Sequence, residues 1–124
     1  MSLHTSTGAP TKAQGRRFQQ IKLEAGCVCC RLRGLGYTPP EIHHLIEGIR
    51  RIGHDATVGL CPWHHRAVPH EGWTRAAARE TFGPSLAEGS KSFQEVFGDD
   101  QFLLVAQNRI LQQLSLVMSV GAAA

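Results

Sequence analysis

The sequence predicts a small α+β domain, built from a metal-stapled β-hairpin and short helix with additional C-terminal helices. Three observations predict it. Two short ligand-bearing motifs, Cys27-x-x-Cys30 and Cys61-x-x-His64, stand well apart in the chain. Two runs that read as strands, EIHHLIEG and ATVGL, lie between them. A helical stripe of apolar residues closes the chain.

At 124 residues, 42% of them hydrophobic, the chain can bury one core but not two. The formal charge of +3 is a mild basic excess that suits nucleic acid without requiring it. No stretch approaches the roughly 20 apolar residues of a membrane helix, and the start MSLHTSTGAPTKAQGRR does not resemble a signal peptide. The expectation is a cytoplasmic protein without a membrane partner. In a reducing compartment the four cysteines, Cys27, Cys29, Cys30 and Cys61, are better read as metal ligands than as disulfides.

Residues 1–17 are rich in Gly, Ser, Thr, Pro and basic residues without apolar period, which predicts a disordered basic arm. A single domain is expected over 18–124. Phe18 to Ala25 can form a short strand or helix, and RLRGLGYTPPE, with Gly34, Gly36 and the Pro39-Pro40 pair, reads as a loop. EIHHLIEG is the first strand, IRRIGHD a connecting loop and ATVGL, rich in β-branched residues, the second strand. Pro62 follows Cys61 where a helix can begin, because its missing N–H would have no partner there. That helix is expected to end near Val68-Pro69, giving a core of about residues 41–70.

C-terminal helices are expected over about 72–118. GWTRAAARETFG has helix formers and a stop at Gly83, while Ser85 and Ser90 are candidate caps for short helices. After Gly98, Leu103, Leu104, Gln107, Ile110, Leu111, Leu114 and Val117 recur at three-and-four spacing, an amphipathic helix expected to pack on the domain's own core.

The two motifs carry the chemistry. A two-residue spacer lets a tight turn aim both side chains at one ion, and tetrahedral zinc accepts two such turns from distant parts of a chain. Cys27, Cys30, Cys61 and His64 therefore form a candidate structural zinc site. Cys29 is a surplus thiol that could replace Cys27 if the turn winds differently. His43, His44, His65 and His70 are left over. On a strand His43 and His44 point to opposite sides, so one can bind a metal while the other faces a reacting group. His65, about 100 degrees around the helix from His64, can serve a second ion. His4 and His54 read as ordinary surface or capped histidines. Arg50, Arg51 and Arg66, with Arg75 and Arg79, flank this constellation and are candidate phosphate contacts. Trp63 and Trp73 are expected to pack beside the zinc site rather than to stack on bases.

Cys-x-x-Cys, a histidine pair on a strand, a second strand and Leu-Cys-x-x-His-His opening a helix together resemble the HNH nucleases with their ββα-metal, or His-Me finger, motif. More narrowly, EIHHLIEGIRRIGHDATVGLCPWHHRAVP followed by FGPSLAEGSKSFQEVFGDD is similar to the phage recombination-enhancement, RecA-dependent nucleases. The resemblance implies that His44 is the general base activating water, that His43 and His65 ligate a catalytic metal, and that His70 completes its shell. It also implies a second divalent cation, Mg2+ or Mn2+ (Zn2+ in crystals being compatible), cleavage of one DNA strand at a time, a phage or prophage origin in a bacterial host, and action on DNA in a RecA filament. The asparagine that names the HNH motif has no match; it would fall near His54, Asp55 or Ala56, and Asp55 or a backbone carbonyl is expected to hold the His44 ring instead.

Two other readings compete. A non-catalytic zinc module that binds nucleic acid or protein explains the four zinc ligands but leaves His43 and His44 without purpose. A thiol redox protein would use Cys27 and Cys30 and carry no stoichiometric zinc. Oligomeric state is not legible.

Overall fold

The computed structural model describes residues 8–47 and 50–123, so His4 and the rest of residues 1–7 of the expected arm lie outside the described residues. Part of that arm is ordered helix. Helix α1 (Lys12–Gln20) begins with a reciprocal capping box, in which the Thr11 hydroxyl accepts from the Gln14 N–H and the Gln14 side chain accepts from the Thr11 N–H. Its side chains then reach far along the chain. Gln14 Nε2 donates to Asp55 Oδ2 at 3.1 Å, and the Arg17 guanidinium donates to the Thr57 hydroxyl, the Thr57 carbonyl and Asn108 Oδ1.

The helix widens into a π turn over Ile21–Ala25, so the stretch expected as strand or helix is helical, and Gly26 ends it at φ 75°. Glycine is required there. A Cβ at Gly26 would lie 2.7 Å from the Thr38 carbonyl oxygen, the same atom that accepts the Cys27 N–H at 3.0 Å. Cys27 then caps helix α2 (Val28–Leu32), which carries Cys29 and Cys30.

Strand β1 (Glu41–His44) pairs antiparallel with β4 (Thr57–Leu60), setting His43 opposite Val58 and His44 opposite Thr57. The end of the expected first strand is a separate strand, β2 (Ile46–Glu47), which pairs with β3 (Arg50–Arg51) in the connection expected to be a plain loop. Leu45 is the pivot between the ladders. Its N–H donates to the Ala56 carbonyl, its own carbonyl accepts from Ile52, and its side chain is buried in the core. Gly48 and Ile49 lie outside the described residues.

All four residues of β4 are buried, whereas β1 is only half-buried. Two contacts explain the difference. Gln107 Oε1 accepts the Gly59 N–H at 2.8 Å, and the backbone of the first cysteine loop presses on the same residue, where a Cβ would sit 2.4 Å from the Gly26 carbonyl oxygen.

Helix α3 (Pro62–Arg66) starts at the expected proline and stops two residues before the expected Val68-Pro69 end, because Ala67 turns left-handed at φ 57°. Helix α4 (Arg75–Phe82) is capped by Thr74 and halted by Gly83. Ser85 caps a 3₁₀ turn over Leu86–Glu88 as expected, but α5 (Ser90–Phe97) is capped by Gly89, so Ser90 is its first residue rather than its cap. Helix α6 (Asp100–Ala123) buries Leu103, Gln107 and Leu111, and its stripe runs off the core at Val117, which is exposed. The domain is α+β. Leu60, Trp63, Phe93 and Phe97 gather around the cysteines in the main core, while Ile21, Ala25 and Leu111 form a smaller cluster that Ile42 completes. Among the described residues no helix is long and apolar enough to cross a membrane.

Candidate metal centre and adjoining histidine cluster

Among the described residues, Cys27, Cys30, Cys61 and His64 are fully buried and bring their ligand atoms within 4.8 Å of one another. The spacing tests the fit to an ion. Zinc bonds of about 2.3 Å to sulfur and about 2.0 Å to nitrogen in a tetrahedron imply sulfur–sulfur edges of about 3.8 Å and sulfur–nitrogen edges of about 3.5 Å. His64 Nδ1 lies 3.4, 3.7 and 3.3 Å from the sulfurs of Cys27, Cys30 and Cys61, and Cys30 Sγ lies 4.0 Å from Cys61 Sγ. The group could hold a structural zinc.

Its outer contacts agree. His64 Nε2 donates to the Phe82 carbonyl at 2.7 Å, which fixes the ring so that Nδ1 offers its lone pair to the sulfurs. Burial raises the Cys27 thiol and hydrogen bonds to Cys27 and Cys61 raise that of Cys30, while hydrogen bonds from Cys27 and Cys30 draw Cys61 down. Burial would lower His64, but its bonds to Cys30 and Cys61 outweigh it and raise the imidazole to about 9. Three thiolates around one neutral imidazole carry a net charge that a bound cation would neutralise. Cys29 is buried but outside the group, so Cys27 is the ligand the turn selects. All four cysteines are free thiols. Trp63 packs in this core and donates Nε1–H to the Gly83 carbonyl, whereas Trp73 is half exposed against Phe82 and His70.

The strand period sends β1 side chains to two sides. Glu41 and His43 face α3: Glu41 Oε1 lies 2.8 Å from His65 Nδ1, and the His43 and His65 rings meet edge to face at 5.0 Å. Arg66 grips the same carboxylate from its exposed side at 2.6 to 3.2 Å. That guanidinium and, next, His65 hold Glu41 at about 2, while burial, followed by His65 and His44, lowers His43 to about 4. His43 is thus a neutral imidazole at neutral pH. His70 packs its ring on Phe82 at 4.8 Å, and among the described residues no third ligand atom gathers with His43 and His65 to the closeness of the cysteine group.

His44 faces α1. Its ring meets Phe18 edge-on, and its Nε2 lies 3.0 Å from His54 Nδ1. His54 Nε2 in turn lies 2.7 Å from the Gly8 carbonyl oxygen. The His44 pKa is lowered, by burial first and by Arg51 and His54 next. His54, read from sequence as an ordinary histidine, is therefore the direct partner of His44, and Asp55, a candidate for that task, is taken by Gln14. Glu41 was also missed, although its position two residues before His43 puts both on one face of the strand and could have signalled it.

A family model described as "Recombination enhancement, RecA-dependent nuclease" matches residues 10–112. No curated protein matches the chain.

Proposed function

The chain belongs to the recombination-enhancement, RecA-dependent nuclease family, and from that premise we propose that it is a metal-dependent DNA endonuclease of the HNH type. The observation that carries the reading is the division of histidines: His64 stays with three thiols in a buried staple, while His43, His44 and His65 stand outside it at the hairpin. A mere zinc module needs only the first group.

In this reading His44 takes a proton from the attacking water. Its lowered pKa, set first by burial, favours the neutral ring that a general base requires. His43 and His65 would hold the divalent cation, Mg2+ or Mn2+; the family resemblance adds His70, whose ring here rests on Phe82. Glu41 orients His65 by accepting from Nδ1, which leaves Nε2 to the ion, as carboxylates commonly do behind metal-bound histidines. When bound, that cation supplies charge stabilisation to the phosphate and leaving oxygen. Imidazoles alone do not select among such ions. Arg50, Arg51 and Arg66 supply phosphate contacts, and DNA held in a RecA filament in a bacterial host, during phage or prophage recombination, is the proposed substrate.

The test is incubation of plasmid and single-stranded DNA with the protein and Mg2+, with and without a RecA filament. Cleavage that His44→Ala abolishes supports the endonuclease, and dependence on the filament supports the narrower substrate. DNA binding without cleavage under all these conditions would leave the non-catalytic zinc module as the better reading.

A further inference from the structure

With both rings neutral, the His44–His54–Gly8 chain has one arrangement of protons that satisfies every member. A carbonyl oxygen can only accept, so His54 Nε2, 2.7 Å from the Gly8 oxygen, must carry its hydrogen. The neutral His54 ring then has a bare lone pair on Nδ1, and His44 Nε2, 3.0 Å away, must be the donor across that contact. In neutral His44 the remaining lone pair is consequently on Nδ1. We propose that His54 is a positioning residue that sets both the tautomer and the ring orientation of His44, and that the backbone of the N-terminal segment at Gly8 fixes His54 in turn.

This rests on the reading of His44 as the base, because a proton acceptor with its lone pair on the wrong nitrogen is misdirected even when correctly placed. The surroundings support a built arrangement. His54 is only 8% exposed, its carbonyl accepts from the buried Thr57 hydroxyl, and its ring packs edge-on against Phe18 at 5.5 Å. The adjoining residues are tied to α1, Asp55 by Gln14 and Thr57 by Arg17, so with Gly8 the N-terminal segment clamps the end of the hairpin connection at three points. Gly8 adopts φ 67°, a left-handed conformation that glycine or asparagine accepts, and a Cβ added to it would meet nothing within 4 Å.

Four full-length variants test it, with nitrogen-15 NMR of the histidine rings as the readout besides cleavage. In the wild-type protein His44 should show hydrogen on Nε2 and none on Nδ1. His54→Phe keeps the ring and its contact with Phe18 but removes both nitrogens; it should mix the His44 tautomers and lower kcat on the order of tenfold to a hundredfold with KM for DNA unchanged. His54→Gln, which retains an acceptor and a donor, should recover most of both signals. Gly8→Val, β-branched where φ is positive, should give a smaller loss of the same kind, whereas Gly8→Asn should match the wild type.

A wild-type His44 carrying hydrogen on Nδ1, or a folded His54→Phe protein with unchanged tautomer and kcat, overturns the proposal. If the wild type cleaves no DNA, the endonuclease reading falls, and the NMR spectra still decide whether His54 sets the His44 tautomer. If cleavage requires His44 but tolerates His54→Phe, the endonuclease stands and this inference falls.

Discussion

His64 and His44 each lean on a backbone carbonyl, directly in one case and through a second histidine in the other, yet their surroundings differ in kind. His64 is wholly buried, its Nδ1 enclosed by three sulfurs within 3.7 Å. His44 is half-buried, with hydrogen-bonding on one edge of its ring. A nitrogen surrounded on all sides can only hold the fold together, whereas one with an open side can exchange protons with what arrives. In the proposed reading the two regions flank one hairpin and divide the labour.

The largest effect should come from breaking the enclosed region. Cys61→Ser removes one thiolate from the staple, and structural zinc contributes on the order of 10 kcal/mol in small domains. The expected outcome is loss of stoichiometric zinc by elemental analysis and of the cooperative thermal transition. A variant that melts like the wild type would show that the cysteines do not staple this fold. Next, His44→Ala should lower cleavage by about a hundredfold to ten-thousandfold while zinc content and melting temperature stay unchanged. A matching loss of stability would mean that the two regions are not separable.

A smaller effect sharpens the open region. Burial, Arg51 and His54 all lower the His44 pKa, so the neutral base persists to more acid pH than a free histidine, and the acid limb of kcat/KM should lie below pH 6.5. Arg51→Gln removes one of the lowering influences, so the limb should move to higher pH; a shift the other way contradicts the assignment. Smallest is Arg66→Ala. Its guanidinium is exposed and a solvent-screened pair with Glu41 contributes little, so melting temperature should barely change. DNA affinity should fall uniformly across sequences, with the salt-dependence slope shallower by about one if Arg66 reaches a phosphate.

How much of this was legible follows from distance along the chain. The candidate metal group was readable because each half, Cys27 with Cys30 and Cys61 with His64, is a local spacing with a geometric meaning, and the fold then joined them. The opposed faces of His43 and His44 were readable for the same reason, since strand period is local. His54 was not, because its meaning depends on the hairpin connection returning to His44 and on Gly8 arriving from the other end of the domain. Helix α1 was hidden by composition: its residues are polar, and what holds it are hydrogen bonds from Gln14 and Arg17 to Asp55, Thr57 and Asn108, partners that no periodicity reveals. The β2–β3 ladder, only two residues on each side, is too short to leave an alternating pattern.

The bond from Gln107 to Gly59 spans 48 positions, whereas all four sulfur and nitrogen ligands of the staple lie within the first 64 residues. A chain emerging from the ribosome therefore exposes the complete ligand set before α6 has been translated. Metal capture can thus precede the closing of α6 over the hairpin during synthesis.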